Sequence, residues 1–455
     1  MKKLFCACLS VLLMGSMFTG CGGSSEQGDK SSDLASSTTI SQSVSEQGSE
    51  TSGGSSAKTV ITALRPGDEA KVRGWSEQAI EKFNAENADI ELRFIYEGWG
   101  GWVTTYPTMM AADTQPEVIF WYDNQLKDQA IADKLVDLEA YLDPEILALY
   151  PENIKDLGRI DGKLLYLAQS VDPGMVFYRK DIFEQAGLDP DKPLETWDEF
   201  AAACKAIHDK TGLPALGYQG KTGLLQINAF VSNFYHSITG EDWLDENNQP
   251  LFNTSDGLKS IERYVELLQY AQDGIENYGR GELRPLLRDG QIAMHIDSSW
   301  TVPDLQAAFG ENLDESVIGI MPIPSADKGK NAWANTNGWV ITRESVAEQA
   351  ARVVDFFASE EQVYLHHVAY GNAPLLNYEK EQPNFQYEFW DTFTNVIENY
   401  HLFVQIGRYH PTPNAFFDEF ESVWQQLYLG QIDAQTALDL CEEATQKLNK
   451  QAGIE

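Results

Sequence analysis

Beyond residue 58 the apolar positions switch repeatedly between two rhythms, and the switching predicts alternating strands and helices. Thr59–Leu64 (TVITAL) and Ile90–Tyr96 alternate with the period of a strand, and Pro116–Trp121 (PEVIFW) is a short buried-strand run. Between the first two, Asp68–Asn84 places Val72, Trp75, Ala79 and Phe83 at helical spacing. Asp123–Lys134 and Leu138–Tyr141 continue as helix or turn. Lys163–Leu167, after the Asp161-Gly162 turn, and Pro173–Tyr178 are the next strands. Thr196-Trp197-Asp198-Glu199 is a capping box, in which the Thr hydroxyl and the Glu carboxylate satisfy free N–H groups at a helix start. That helix runs to about Lys210, where Gly212 and Pro214 stop it. Ser255 or Asp256 opens another, with Leu258, Ile261, Val265 and Leu268 on one face. Arg280–Arg288 is a short helix, and Gln291–Ile296 is a strand leading into Asp297-Ser298-Ser299-Trp300. Val317–Ile323 and Gly338–Ile341 are strands, Ala347–Ala358 is an apolar-striped helix, and the chain from Phe385 onward is mainly helical. This order predicts an α/β fold of mostly parallel sheets flanked by helices.

The first 57 residues follow neither rhythm. Lys2 and Lys3 precede an apolar run from Leu4 to Phe18, and Phe18-Thr19-Gly20-Cys21 closes it. A positive start and about 15 apolar residues are the parts of a secretory signal peptide, here residues 1–20. The run is shorter than the roughly 20 apolar residues of a membrane-spanning helix. Small residues before Cys21 resemble a bacterial lipobox, in which the cysteine is diacylated and becomes the new N-terminus. Phe18 stands where such motifs usually carry Leu, and an ordinary cleaved signal with an incidental cysteine is the alternative. Residues 21–57 are mostly Ser, Gly, Gln, Thr and acids without an aromatic ring, so they read as a disordered tether. A flexible coil of that length reaches roughly 30–36 Å. The expected location is the extracytoplasmic face of the cell membrane, held by a lipid anchor.

About 400 residues remain, enough for two lobes rather than one core. The net charge of −36 opposes nucleic acid and anionic lipid surfaces, both of which require basic patches. Of five cysteines, only Cys204 and Cys441 lie beyond Cys21. Each sits on the apolar side of a helical pattern, so two buried thiols are expected, with no metal spacing and no cofactor.

Several segments, in order, resemble the extracellular solute-binding proteins of ABC importers, family 1, the maltose-binding-protein type. Gly162–Leu167 (GKLLYL) is similar to the family's "GKLYGLP", and Phe177–Ala186 with Thr196–Phe200 (FYRKDIFEQA, TWDEF) is similar to "YYNKDLFKKAG" and "TWDEF". Gly290–Trp300 (GQIAMHIDSSW) resembles "GKAAMYIGGSW". Ile318–Pro324, Asn335–Ile341, Ala350–Phe357 and Gly430–Leu438 match later family segments. The resemblance covers roughly Thr59 to Lys450. It implies a two-lobed periplasmic-binding-protein-like fold with the ligand cleft between lobes. By that analogy lobe 1 is residues 58–167 plus 331–358, and lobe 2 is 168–330 plus 359–455. It also implies a carbohydrate ligand, ABC importer permease subunits as partners, a monomer, and no catalysis.

Sugars offer apolar C–H faces and a rim of hydroxyls, which aromatic rings, carboxylates, amides and Arg can match. Trp300 follows its strand where the family places a stacking ring. Trp339 and Asn337 lie in the loop entering a strand that faces the cleft in the family. Glu97 opens a loop with Trp99 and Trp102, whose glycines free a ring to swing outward or to pack beneath the next helix. Asp123, with Trp121 or Tyr122, ends a buried strand, where open α/β sheets bind ligands. Asp172 and Ser170 lie at a crossover, and Asp297 precedes Trp300. Tyr370 ends a helix, and Arg408 precedes His410-Pro411-Thr412-Pro413. Arg65 and Asp68 face the cleft or cap a helix. Trp197, Trp390 and Trp424 sit in helical stripes or caps and are expected in cores. Other solute classes (polyamine, peptide, glycerol phosphate) and a lipid-anchored glycoside hydrolase are the alternatives. A hydrolase would need two carboxyl groups about 5–9.5 Å apart.

Overall fold

The computed structural model describes residues 58–67, 70–98, 102–122, 134–223, 226–314, 316–325, 328–403 and 410–454. Two sheets organise them, with a hydrophobic cluster around each. In the first sheet Thr59–Pro66 pairs in parallel with the edge strand Ile90–Glu97 on one side and with Val118–Tyr122 on the other. Helix Ala70–Glu86 connects the first two strands and buries Trp75, Ala79 and Phe83, the stripe set by their spacing. The long strand Asn331–Ile341 extends this sheet, antiparallel to Val118–Tyr122 and to Leu167–Pro173, and parallel to the short His401–Phe403. In the second sheet Met175–Arg179 lies between Ile318–Pro322 and Met294–Asp297, antiparallel to both, and Leu216–Gly217 joins the far edge in parallel.

The sheets are therefore mixed rather than mostly parallel. The chain leaves the first sheet along Leu167–Pro173 and rejoins it along Asn331–Ile341, so these two strands run in opposite directions side by side. Antiparallel pairing is the ladder that such a departure and return can form.

Helix Glu360–Tyr370, expected in the second lobe, packs instead on helix Ala70–Glu86 of the first. His366 lies 4.9 Å from the Trp75 ring, and Val363 joins the first cluster, as do Phe385, Trp390 and Phe393 further on. The apolar faces left open by Trp75 and Phe357 draw this segment back onto the first sheet. Helices Pro413–Tyr428 and Ala434–Gln451 belong to the second cluster.

Helix Gln226–Thr239 had no expectation in the sequence. Every residue from Ile227 to Ser237 is buried, including Asn228, Ser232, Asn233 and His236. A helix buried on all sides shows no polar face, and its polar residues find internal partners. Trp424 Nε1 donates to Asn228 Oδ1 at 2.9 Å, and Trp197 Nε1 donates to Ser237 Oγ at 2.9 Å. Cys204 and Cys441 are buried free thiols, and burial pushes both thiol pKa values up.

Candidate ligand-binding site

Strand Met294–Asp297 delivers Trp300. The Asp297 carboxylate accepts Ser298 N–H at 2.8 Å and the Thr301 hydroxyl at 2.6 Å, closing the 3-10 turn Ser299–Thr301 that carries the indole. Pro303 in the first turn of helix Val302–Phe309 needs no N–H there and fixes the exit direction. Trp300 is half-buried, and its Nε1 is buried without a protein acceptor. The Arg280 guanidinium lies 5.3 Å over the Trp300 ring and 5.7 Å over the Trp333 ring. A cation against two indoles gives a stiff aromatic wall.

Asp297 holds this wall rather than offering itself to solute. Burial alone would raise its pKa, but Arg284 Nε at 2.8 Å, His295 and Arg280 hold it well below the usual carboxylate range. Arg284 is raised in turn, against its own burial, by Asp297. Its oxygens are thus spent on Ser298, Thr301 and Arg284.

Asp172 is likewise sealed in. Its carboxylate accepts the Ser299 hydroxyl at 2.6 Å, Asn372 Nδ2 at 2.8 Å and Ala373 N–H at 3.4 Å. Burial raises its pKa despite these hydrogen bonds and the nearby His367. Through Ser299 and Asn372 it ties the turn before Trp300 to the turn after Tyr370. That second turn requires Gly371, whose φ is +83° and where a Cβ would stand 2.4 Å from Pro303 Cγ. Half-buried Tyr370 ends its helix immediately before this turn, whose Gly371 lies against Pro303 of helix Val302–Phe309.

The other expected contacts divide sharply. Trp339 is fully buried among Phe94, Phe120 and Phe357, and its Nε1 donates to Gln169 Oε1 at 2.6 Å, so it is core, not wall. Trp121 is also core, edge-on to Tyr106 at 4.8 Å. Both lie on central strands covered on their ring faces by helices, which sequence position alone does not reveal. Asn337 keeps one contact, Nδ2 donating to Ser170 Oγ at 3.4 Å, and its Oδ1 has no partner. Glu97 is half-buried at the end of its strand. Asp123, Trp99, Arg408 and Cys21 lie outside the described residues.

Arg280, Arg284 and Trp333 were missed by the sequence reading. The two arginines stand one helical turn apart just before the Trp300 strand, a signal that was there to find. Trp333 gave none beyond sharing a strand face with Asn335 and Asn337.

A buried ion pair lies at the end of helix Glu360–Tyr370. His367 Nδ1 lies 2.6 Å from Glu379 Oε1, and Nε2 donates to Gln169 O at 2.9 Å. Burial lowers the His367 pKa, but Glu379 and Asp172 outweigh it and the net shift is upward. His366 beside it shifts well down, by burial first and then Arg65 and His367, so it accepts from Arg65 Nη2 at 2.7 Å as a neutral ring. A groove of about 470 Å³ opens between helix Val302–Phe309, the end of helix Glu360–Tyr370 and residues 383–390.

This chemistry suits binding. Asp297 is held ionised by its partners and Asp172 is shut away from solute, so neither is placed to act as a general acid, which must hold a proton near neutral pH.

The profile of the family described as bacterial extracellular solute-binding protein matches residues 67–364. The sn-glycerol-3-phosphate-binding periplasmic protein of Rhizobium meliloti (strain 1021) is 26% identical over 337 residues, covering 68% of this chain and 71% of its own. Among solved structures, the sugar-binding protein MalE of Xanthomonas citri superposes with a TM-score of 0.73 at 20% identity, over 87% of this chain and 99% of its own. The cyclic alpha-maltosyl-1,6-maltose binding protein of Arthrobacter globiformis gives 0.70 at 21% identity, over 87% and 100%. At these identities the structural likeness establishes the two-lobed fold.

Proposed function

This chain belongs to the bacterial extracellular solute-binding protein family, and we propose that it captures an oligosaccharide between its lobes for an ABC importer. The observation that carries the reading is the Trp300–Arg280–Trp333 stack, an aromatic wall braced from behind by Asp297. An indole face matches the C–H face of a sugar ring, while amides and phenols meet its hydroxyls. Trp300 is the stacking ring in this reading, with Tyr370, Asn337, Glu97, Asp123, Trp99 and Arg408 as the polar and aromatic rim. The names of the MalE and maltosyl-maltose-binding neighbours support a sugar. The protein acts as a monomer, anchored through diacylated Cys21 on the outer face of the membrane, and passes its ligand unchanged to the permease subunits. A second reading, a phosphorylated polyol, is favoured by the glycerol-phosphate-binding relative.

Thermal unfolding against mono- and oligosaccharides and sn-glycerol-3-phosphate tests both. A ligand at 100 times its Kd stabilises the native state by about 2.7 kcal/mol. The expected result is a saturable rise with an oligosaccharide recovered intact, lost in Trp300→Ala. A rise with the phosphate alone would favour the second reading, and a cleaved sugar would overturn both.

A further inference from the structure

Beside the Trp300 wall, Gly174, Gln219, Asn233, Arg280, Asp297 and Trp333 are among the residues lining a half-open pocket of about 10 Å³. Three polar atoms of its lining residues are buried with no hydrogen-bond partner: Gln219 Oε1, Asn233 Oδ1 and Trp333 Nε1. The amide orientations follow from their other ends. Gln219 Nε2 donates to Ile296 O at 2.8 Å, and Asn233 Nδ2 donates to Ala229 O at 2.8 Å. Turning either amide over would set two oxygens against each other, so both side-chain oxygens are left wanting a donor.

Two acceptors and one donor are the complement of one water, which donates twice and accepts. The space is about that of a single water centre, and a water so placed needs 2–4 polar partners. The alternatives fit less well. A cation would face the Arg280 guanidinium, an anion would face Asp297 and two amide oxygens, and a sugar hydroxyl supplies one hydrogen for two acceptors. Gly174 makes the arrangement possible, because a Cβ there would sit 2.1 Å from Asn233 Oδ1.

We propose that Gln219, Asn233 and Trp333 hold one ordered water, and that this water fixes Trp333 as the plane on which Arg280 and then Trp300 stack. The three are positioning residues for the wall: the water pins the indole edge, the indole face seats the guanidinium, and the guanidinium seats Trp300.

A high-resolution crystal structure of the ligand-free chain tests the site. One density peak within about 2.7–3.2 Å of all three atoms is expected. Amides turned to pair with each other, with no peak, would overturn it. Asn233→Leu and Trp333→Phe each remove one of the water's bonds, and the Phe variant keeps the ring. Their losses in melting temperature should be non-additive, the double variant losing clearly less than the sum of the singles. Additive losses would sink the proposal. In the Asn233→Leu crystal Arg280 should leave its place above ring 333, and an unmoved Arg280 would reduce the water to filler and refute the positioning role. None of these readouts uses a solute, so they stand or fall apart from the sugar reading.

Discussion

At the scale of the residue, Asp297 and Asp172 are buried acids whose oxygens already have partners within the fold. Asp297 and Arg284 form a buried pair at 2.8 Å, and removing one partner of such a pair leaves the other uncompensated. Asp297→Ala should therefore cost about 3–5 kcal/mol in denaturant unfolding, whereas loss of a mere ligand contact would leave stability unchanged. The His367–Glu379 pair makes a pH prediction. The folded pKa of His367 is raised, so its stabilisation is complete below the ordinary histidine value of about 6.5 and fades as pH rises through the raised value. Glu379→Gln keeps an oxygen for the Leu375 and Leu376 N–H groups that Glu379 now accepts at 2.9 Å. The variant should melt well below the parent near pH 6 and approach it as pH rises. A constant gap across the range would mean that the imidazole carries no proton there.

At the scale of the element, ends and turns do more than interiors to aim the site. The capping box at Thr196 is formed on both sides, with Glu199 N–H donating to the hydroxyl at 3.2 Å and Thr196 N–H donating to Glu199 Oε2 at 3.3 Å. Thr196→Ala should cost about 1 kcal/mol and leave solute affinity alone, because the cap sits at the exposed start of its helix, on a different element from Trp300. Gly371 is the opposite case. Its left-handed backbone makes any side chain strained by about 1–2 kcal/mol, and the new Cβ would push Pro303 and the helix that follows Trp300. Gly371→Ala should lower both melting temperature and affinity, and unchanged affinity would show that Tyr370 and Trp300 do not act across one site. Helix Gln226–Thr239 shows the limit of reading elements by stripe: its polar residues face buried partners, and no solvent side exists to mark its period.

At the scale of the whole molecule, the chain passes between the two sheets along oppositely running strands, and two-lobed binding folds close around ligand by hinge bending. In small-angle scattering the radius of gyration should fall when the solute identified by thermal shift is added. An unchanged value would mean capture without closure. The sequence by itself determined much of the strand–helix order, though not helix Gln226–Thr239, together with the Thr196 cap, the buried thiols and the segment succession that marks the family, because each depends on neighbours a few residues apart. It also places Trp300 just after a strand, where the family resemblance expects a stacking ring. Only the tertiary structure decided that Trp339 and Trp121 are core while Trp333 lies against Arg280, since which face of a strand is covered by helices is not recorded locally. It likewise decided that Asp172 and Asp297 are sealed braces, because Ser299, Asn372 and Arg284 reach them from distant parts of the chain or from a neighbouring helix. A side chain's partner across a sheet is set by register and crossover direction, and no local period records either.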